Sequence, residues 1–133
     1  MFLPKEIMGL PLGYALFQKG FTVLHGSSIS HNSKGIIFSG LSGSGKSTVI
    51  SDLINKGFNY LSDDLVCLDS RNNLHSYTNT LAVQSIGKDA NQCFNEITPL
   101  HDKRKRSLYF HKKNNRIPTP AKLCYFLEWG SKN

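Results

Sequence analysis

Residues 40–48 of the chain are Gly40, Leu41, Ser42, Gly43, Ser44, Gly45, Lys46, Ser47 and Thr48. Gly40 through Ser47 follow the spacing G-x-x-x-x-G-K-[ST], a loop whose chemistry is phosphate binding. Glycines let the backbone curl until successive N–H groups point inward at phosphate oxygens. Lys46 supplies a positive charge for β and γ phosphates, and Ser47 offers a hydroxyl to Mg2+. The competing reading is a Gly/Ser-rich linker. The flanks oppose it. Residues 35–39 read as a short β-branched strand, while Val49, Ile50, Leu53 and Ile54 recur at helical spacing. Gly57 then stands where a C-cap glycine belongs. A helix starting at the loop adds the positive end of its dipole to the phosphate site.

Asp63 and Asp64 form a second constellation, at the end of a strand read over residues 58–62. In open α/β sheets this edge is where ligands bind. Phosphoryl transfer gives two carboxylates separate work: one helps position Mg2+, and the other accepts the proton of an attacking hydroxyl. Adjacent strand residues point to opposite faces, so the two cannot duplicate one another. The alternative is a solvated strand end closed by an Asx turn. His25 is the third candidate, closing an apolar strand over residues 21–25. An ordinary half-buried histidine is the competing reading. A functional role requires its strand to lie beside the strand that enters the loop.

Few elements are needed to position these groups. Ile7, Leu10, Tyr14 and Phe17 mark a broad apolar face over residues 7–19, but Pro11 and Gly13 predict a short or broken helix ending at Gly20. Residues 26–30 read as extended or turning, and residues 31–35 as a hairpin turn into the strand before the loop. The segment from that strand to residues 58–62 is long enough for a βαβ crossover. Residues 65–68 and 74–77 flank a turn over 69–73, a hairpin pattern. Residues 79–100 are ambiguous. Residues 107–110 predict a strand, 117–120 an extended segment and 123–127 a further buried strand. The expected fold class is α/β, a mixed sheet with few helices around a phosphate-loop core. A single domain spans residues 1–133, and an uncovered final strand would point to a missing part on its C-terminal side.

Bulk properties bound the function. No segment approaches a membrane span, and residues 1–5 do not open a signal peptide. Cys67, Cys93 and Cys124 are odd in number and lack C-x-x-C spacing, which predicts reduced thiols in a cytoplasmic protein. The formal net charge of +7 arises entirely within residues 101–133, which hold nine Lys/Arg against two Asp/Glu. Lys103, Arg104, Lys105, Arg106, Lys112, Lys113 and Arg116 carry most of it. This region reads as a solvated basic loop, or as a patch that meets ATP phosphates or an acidic protein. Nucleic-acid binding is disfavoured because no recognised binding module accompanies the charge.

Residues 24–28 (Leu-His-Gly-Ser-Ser), the 40–47 loop and residues 56–64 (Lys-Gly-Phe-Asn-Tyr-Leu-Ser-Asp-Asp) together resemble the HPr kinase/phosphorylase family, which is related to phosphoenolpyruvate carboxykinase. The resemblance is specific over about residues 10–70 and looser to about residue 128. It implies a P-loop core of that type, with ATP and Mg2+ as cofactors. It implies His25, Lys46 and Asp64 as active-site residues, with Asp64 the general base toward a serine hydroxyl and Ser47 a Mg2+ ligand. Asp63 then assists with metal or water, and His25 contacts the transferring phosphoryl group or orients Asp64. The chain departs from the family pattern at Thr48, where bifunctional members usually carry glutamate. The second metal carboxylate has only Asp89 and Glu96 as candidates. The family's N-terminal regulatory domain is unmatched, so phosphorylase activity is not part of the expectation. The segment after Asp64 is closer to small HPr-kinase-like proteins encoded beside peptide-modification machinery, including lasso-peptide precursor kinases. The expected activity is phosphorylation of a serine or threonine hydroxyl on a small protein or peptide, an acidic one if the basic region guides it. A homo-oligomer stays open. The alternatives are a nucleotide-binding regulatory module without transferase activity, and a kinase acting on a small molecule such as free serine.

Overall fold

The computed structural model describes residues 5–77, 80–83, 94–99, 106–112 and 117–130. These form a mixed α/β arrangement with two helices, α1 (Lys5–Gln18) and α2 (Lys46–Asn55). The strands are β1 (Thr22–His31), β2 (Lys34–Gly40), β3 (Asn59–Ser62), β4 (Leu65–Leu68), β5 (Asn73–His75), β6 (Thr80–Val83), β7 (Phe94–Pro99), β8 (Ser107–His111) and β9 (Thr119–Leu127).

Asn32 and Ser33 both take left-handed backbone, with φ of 49° and 60°. Two such residues make the tight turn whose twist matches that of flanking strands. The turn pairs β1 with β2 in antiparallel register, from His31 opposite Lys34 to Gly26 opposite Ser39. β1 runs unbroken through Gly26, where the sequence reading allowed a turn. A Cβ at residue 26 would lie 2.7 Å from the Phe38 carbonyl oxygen, so glycine here serves a close backbone approach.

The chain leaves β2 through the loop and α2 and returns as β3. β3 pairs with β1, and both β2 and β3 run antiparallel to β1. The expected crossover therefore holds in direction, with β1 lying between its two strands. β4 takes up the antiparallel pairing with β1 where β3 leaves it, from His25 opposite Leu65 to Thr22 opposite Leu68. β5 folds back on β4, β9 pairs with β5, and β9 also runs parallel to β2. With the β1–β2 pairing the order closes on itself, so β1, β2, β9, β5 and β4 form a ring that carries β3 on β1. Leu24, Ile37, Val66, Leu74 and Ala121 come one from each ring strand and pack together with Leu61.

A second cluster buries Ile29, Phe38, Ile50 and Tyr60 against Leu81, Val83, Phe94 and Tyr109. It joins the sheet and α2 to an antiparallel three-stranded sheet of order β6-β8-β7. β6 and β7 resolve part of the stretch that the sequence left ambiguous. α1 runs for 14 residues continuously through Pro11, against the expectation of a short or broken helix. Leu16 packs with Leu65 and Cys67, and Leu12 joins them. Gly13 is buried against Leu65 and Val23, where a Cβ would make ordinary van der Waals contact. Leu16 is buried and Leu12 half-buried, and this packing favours a continuous helix over a break at Pro11.

The reading of residues 123–127 as a buried strand is corrected. Leu123, Tyr125 and Phe126 are exposed on β9, with Tyr125 stacked on Phe38. No described helix is long and apolar enough to cross a membrane. Cys67 is buried and Cys124 exposed, both as free thiols, while Cys93 lies outside the described residues.

Candidate functional site

The 40–47 loop joins the end of β2 to the start of α2 through glycines with positive φ: 148° at Gly40, 82° at Gly43 and 91° at Gly45. At Gly40 a side chain is also excluded by space. A Cβ there would lie 2.4 Å from the Leu127 carbonyl oxygen and 2.7 Å from Ser44 Oγ. The first turn of α2 has no side-chain cap and no acidic residue of its own, which leaves its N–H groups and dipole available to an anion. Lys46 is only 7% exposed because it folds back over the loop. Its Nζ donates to the carbonyls of Gly40 at 2.8 Å and Leu41 at 2.9 Å. An ammonium has three donors, so one remains beyond these two bonds for a phosphate oxygen. Ser44 Oγ is buried with no partner among the described residues.

Between β3 and β4 the chain kinks at Asp63 and Asp64, across from Gly26 and Ser27 of β1. The two carboxylates part company there. Asp63 is 2% exposed. Its Oδ1 accepts from Ser27 Oγ at 2.6 Å, and Ser47 Oγ donates toward Oδ1 and Oδ2 at 3.1 and 3.2 Å. Asp63 thus bridges β1 to the first turn of α2. Asp64 is half-buried, lines the neighbouring cleft and holds a φ of 67°, a left-handed conformation uncommon outside glycine. His25 Nδ1 lies 3.1 Å from the Asp64 main-chain oxygen. A carbonyl oxygen only accepts, so Nδ1 carries the proton of this bond. β1 lies directly beside β2, which is the condition the sequence reading set for a functional His25. Ser39 of β2 donates to the His25 carbonyl at 3.2 Å.

Two cavities meet at this point. A cleft of about 510 Å3 runs over Ser42 to Val49 and is walled by His25, Asp64, Ala82, Val83, Arg106 and Trp129. A groove of about 820 Å3 shares His25, Ser42, Asp64 and Arg106 with it and continues along α1 past Leu10, Tyr14 and Phe17. Gly40 and Leu41 contribute carbonyls to Lys46 rather than cleft wall. Thr48 lines the cleft from the first turn of α2. Of the basic region, Arg106 lines both cavities and Lys112 is exposed, while Lys103, Arg104, Lys105, Lys113 and Arg116 lie outside the described residues. Asp89 also lies outside them, and Glu96 is exposed on β7, paired with Tyr109. The sequence reading gave no role to Ser27, Ala82, Val83 or Trp129. Of these only Ser27 stood in a stretch the sequence singled out, residues 24–28.

Among the described residues, no cluster of three or more His, Cys, Asp or Glu could hold a metal by itself. Ser47 and Asp63 supply two hard oxygens at the loop's helix end. Mg2+ keeps several waters and shares its ligation with substrate phosphates, so that pair fits its demands. No family model matches the chain, and no curated protein matches it.

A second aspartate–histidine pair closes the β4–β5 hairpin. Asp69 Oδ2 accepts from His75 Nε2 at 2.9 Å and from Asn73 Nδ2 at 3.1 Å. Its Oδ1 accepts the main-chain N–H groups of Arg71 and Asn73, both at 2.9 Å. The His75 bond first, then the Asn73 N–H, hold this carboxyl well below the usual carboxylate range. On β4, burial pushes the Cys67 thiol up to about 11.

Proposed function

We propose that the protein is an ATP- and Mg2+-dependent kinase that phosphorylates a serine or threonine hydroxyl on a small protein or peptide. The finer description of the fold that goes with this reading is a P-loop core of the HPr kinase/phosphoenolpyruvate carboxykinase type. The observation that carries it is the separation of the neighbouring aspartates, with Asp63 bonded to Ser47 at the loop and Asp64 on the wall shared by the two cavities.

The loop N–H groups and the α2 N-terminus bind the β and γ phosphates, and Lys46 adds its charge beside them. Ser47 and Asp63 would hold Mg2+, which when bound neutralises charge on the phosphate oxygens. The acceptor enters along the groove beside α1. Its hydroxyl oxygen forms a bond to the γ-phosphorus, and its proton passes to the Asp64 carboxylate. The bond from the γ-phosphorus to the bridging oxygen breaks, and ADP leaves. His25 fixes the position of residue 64 through the main-chain oxygen, so it positions the base. Arg106, on the wall of both cavities, meets the charge of the transferring group or of an acidic acceptor.

The test is mass spectrometry of candidate acceptor peptides after incubation with ATP and Mg2+, with free serine as a parallel acceptor. A phosphate adduct on peptide, absent with Lys46→Ala, is the expected result. Nucleotide binding with no transfer to any acceptor would replace the kinase by a nucleotide-binding module. Labelling of free serine alone would replace the peptide acceptor by a small molecule.

A further inference from the structure

Trp129 is the single tryptophan of the chain and is 80% exposed, yet its position is fixed. Its indole Nε1 donates to the Gly43 carbonyl of the loop at 3.0 Å. The backbone behind it is fixed as well. β9 runs parallel to β2 with Leu127 in register with Gly40, and the Leu127 carbonyl fills the space a Cβ at Gly40 would need. The strand end is therefore packed against the first glycine of the loop, and residue 129 follows within reach of the cleft, whose wall it forms. An indole tied by its N–H edge while most of its surface stays in solvent keeps ring face for a partner. An exposed indole that only covered the loop would turn that face inward.

We propose that Trp129 is a stacking platform for the base of the nucleotide whose phosphates the loop holds, an inference that rests on the nucleotide-binding part of the reading above. A π-face takes any base, so the platform confers affinity for a nucleoside triphosphate over bare polyphosphate without choosing between purines. Loss of one base–aromatic stack weakens binding by about tenfold or more.

The test compares ATP, GTP and inorganic tripolyphosphate, each with Mg2+, by calorimetry and by the intrinsic fluorescence of Trp129. The wild-type chain should bind ATP and GTP within about threefold of each other and at least about tenfold more tightly than tripolyphosphate. Both nucleotides should quench the indole, and tripolyphosphate should not. Trp129→Ala should lose the preference for nucleotide while still binding tripolyphosphate, which also reports that the loop remains folded. Trp129→Phe keeps a ring and should retain most of the preference. An unchanged ratio of ATP to tripolyphosphate affinity in Trp129→Ala overturns the platform. Equal binding of ATP and tripolyphosphate by the wild type overturns it too, while leaving the phosphate loop standing. Binding of neither ligand overturns the nucleotide reading itself.

Discussion

β4 is bracketed by two aspartates, each beside a histidine, and the two are held in opposite ways. Asp69 at its end spends its carboxylate on four donors: His75, the Asn73 side chain and the main-chain N–H groups of Arg71 and Asn73. Asp64 at its start receives its histidine on the main chain, where His25 bonds the carbonyl oxygen. Its backbone sits at a φ of 67° and its side chain borders two cavities. The Asp69 pair closes a turn and lowers the energy of the fold. The Asp64 arrangement accepts backbone strain at a cavity wall, the pattern expected where geometry serves chemistry. An aspartate next to a histidine is therefore no guide to function until the atoms that bond are known.

Paired substitutions give the strongest test of this contrast. Asp64→Asn should lower transfer by about a hundredfold or more, the usual contribution of a general base, with nucleotide affinity nearly unchanged. Asp69→Asn should leave transfer close to wild type. Equal losses in the two variants, measured with the same acceptor, would erase the distinction.

Asp63 offers a second comparison, a buried carboxylate held by Ser27 and Ser47. Ser27→Ala removes the 2.6 Å bond to this buried carboxylate, which should destabilise the protein by about 1–3 kcal/mol in urea unfolding. An unchanged midpoint would mean that Asp63 does not depend on Ser27.

A smaller effect of opposite sign is expected from Asp64→Gly. Glycine takes a positive φ without strain, so stability should rise by about 1 kcal/mol or less while transfer is lost. A destabilised variant would show that the Asp64 side chain supports the fold, as Asp69 does.

The smallest effect is the pH dependence of the hairpin. The folded-state pKa of Asp69 is depressed, so its stabilising effect is fully present above the unfolded value of about 3.9. It is lost as pH falls below that value toward the folded one. Asp69→Asn should therefore melt below wild type at pH 7, and the gap should narrow as pH is lowered through 4 and 3. A gap that persists undiminished at pH 3 would show that the asparagine disturbs the turn for reasons other than charge.

What the sequence made legible was set by local chemistry. Glycines at residues 40, 43 and 45 specify the loop, Asn32-Ser33 the turn between β1 and β2, and Asp69 with Asn73 the β4–β5 hairpin. Each is decided by residues a few positions apart. The divergence of the adjacent aspartates was expected from strand alternation, but it arises at the kink between β3 and β4, where Asp64 takes left-handed backbone. The pairing of β3 with the other edge of β1 was not legible, since nothing in residues 22–31 encodes that distant neighbour. Gly26 looked like an interruption because the carbonyl it accommodates belongs to Phe38, on another strand. Pro11 looked like a break because the contacts that outweigh it come from Leu65 and Cys67. Trp129 gave no sign of its place, which depends on the register between β2 and β9.

That register also orders events in time. The β1–β2 hairpin and the loop between β2 and α2 involve short loop closures, but the ring is completed only when β9 reaches β2 across most of the sequence. Parallel pairings between distant segments form slowly, because the entropy of closure is lost before the contacts compensate it. The loop is thus written early in the chain and braced late, when Leu127 seats against Gly40. In refolding, the signal of Trp129 should lag behind the far-ultraviolet signal of secondary structure, and a simultaneous rise of the two would contradict that order. The competence of the site then arrives with the last strand rather than with the motif.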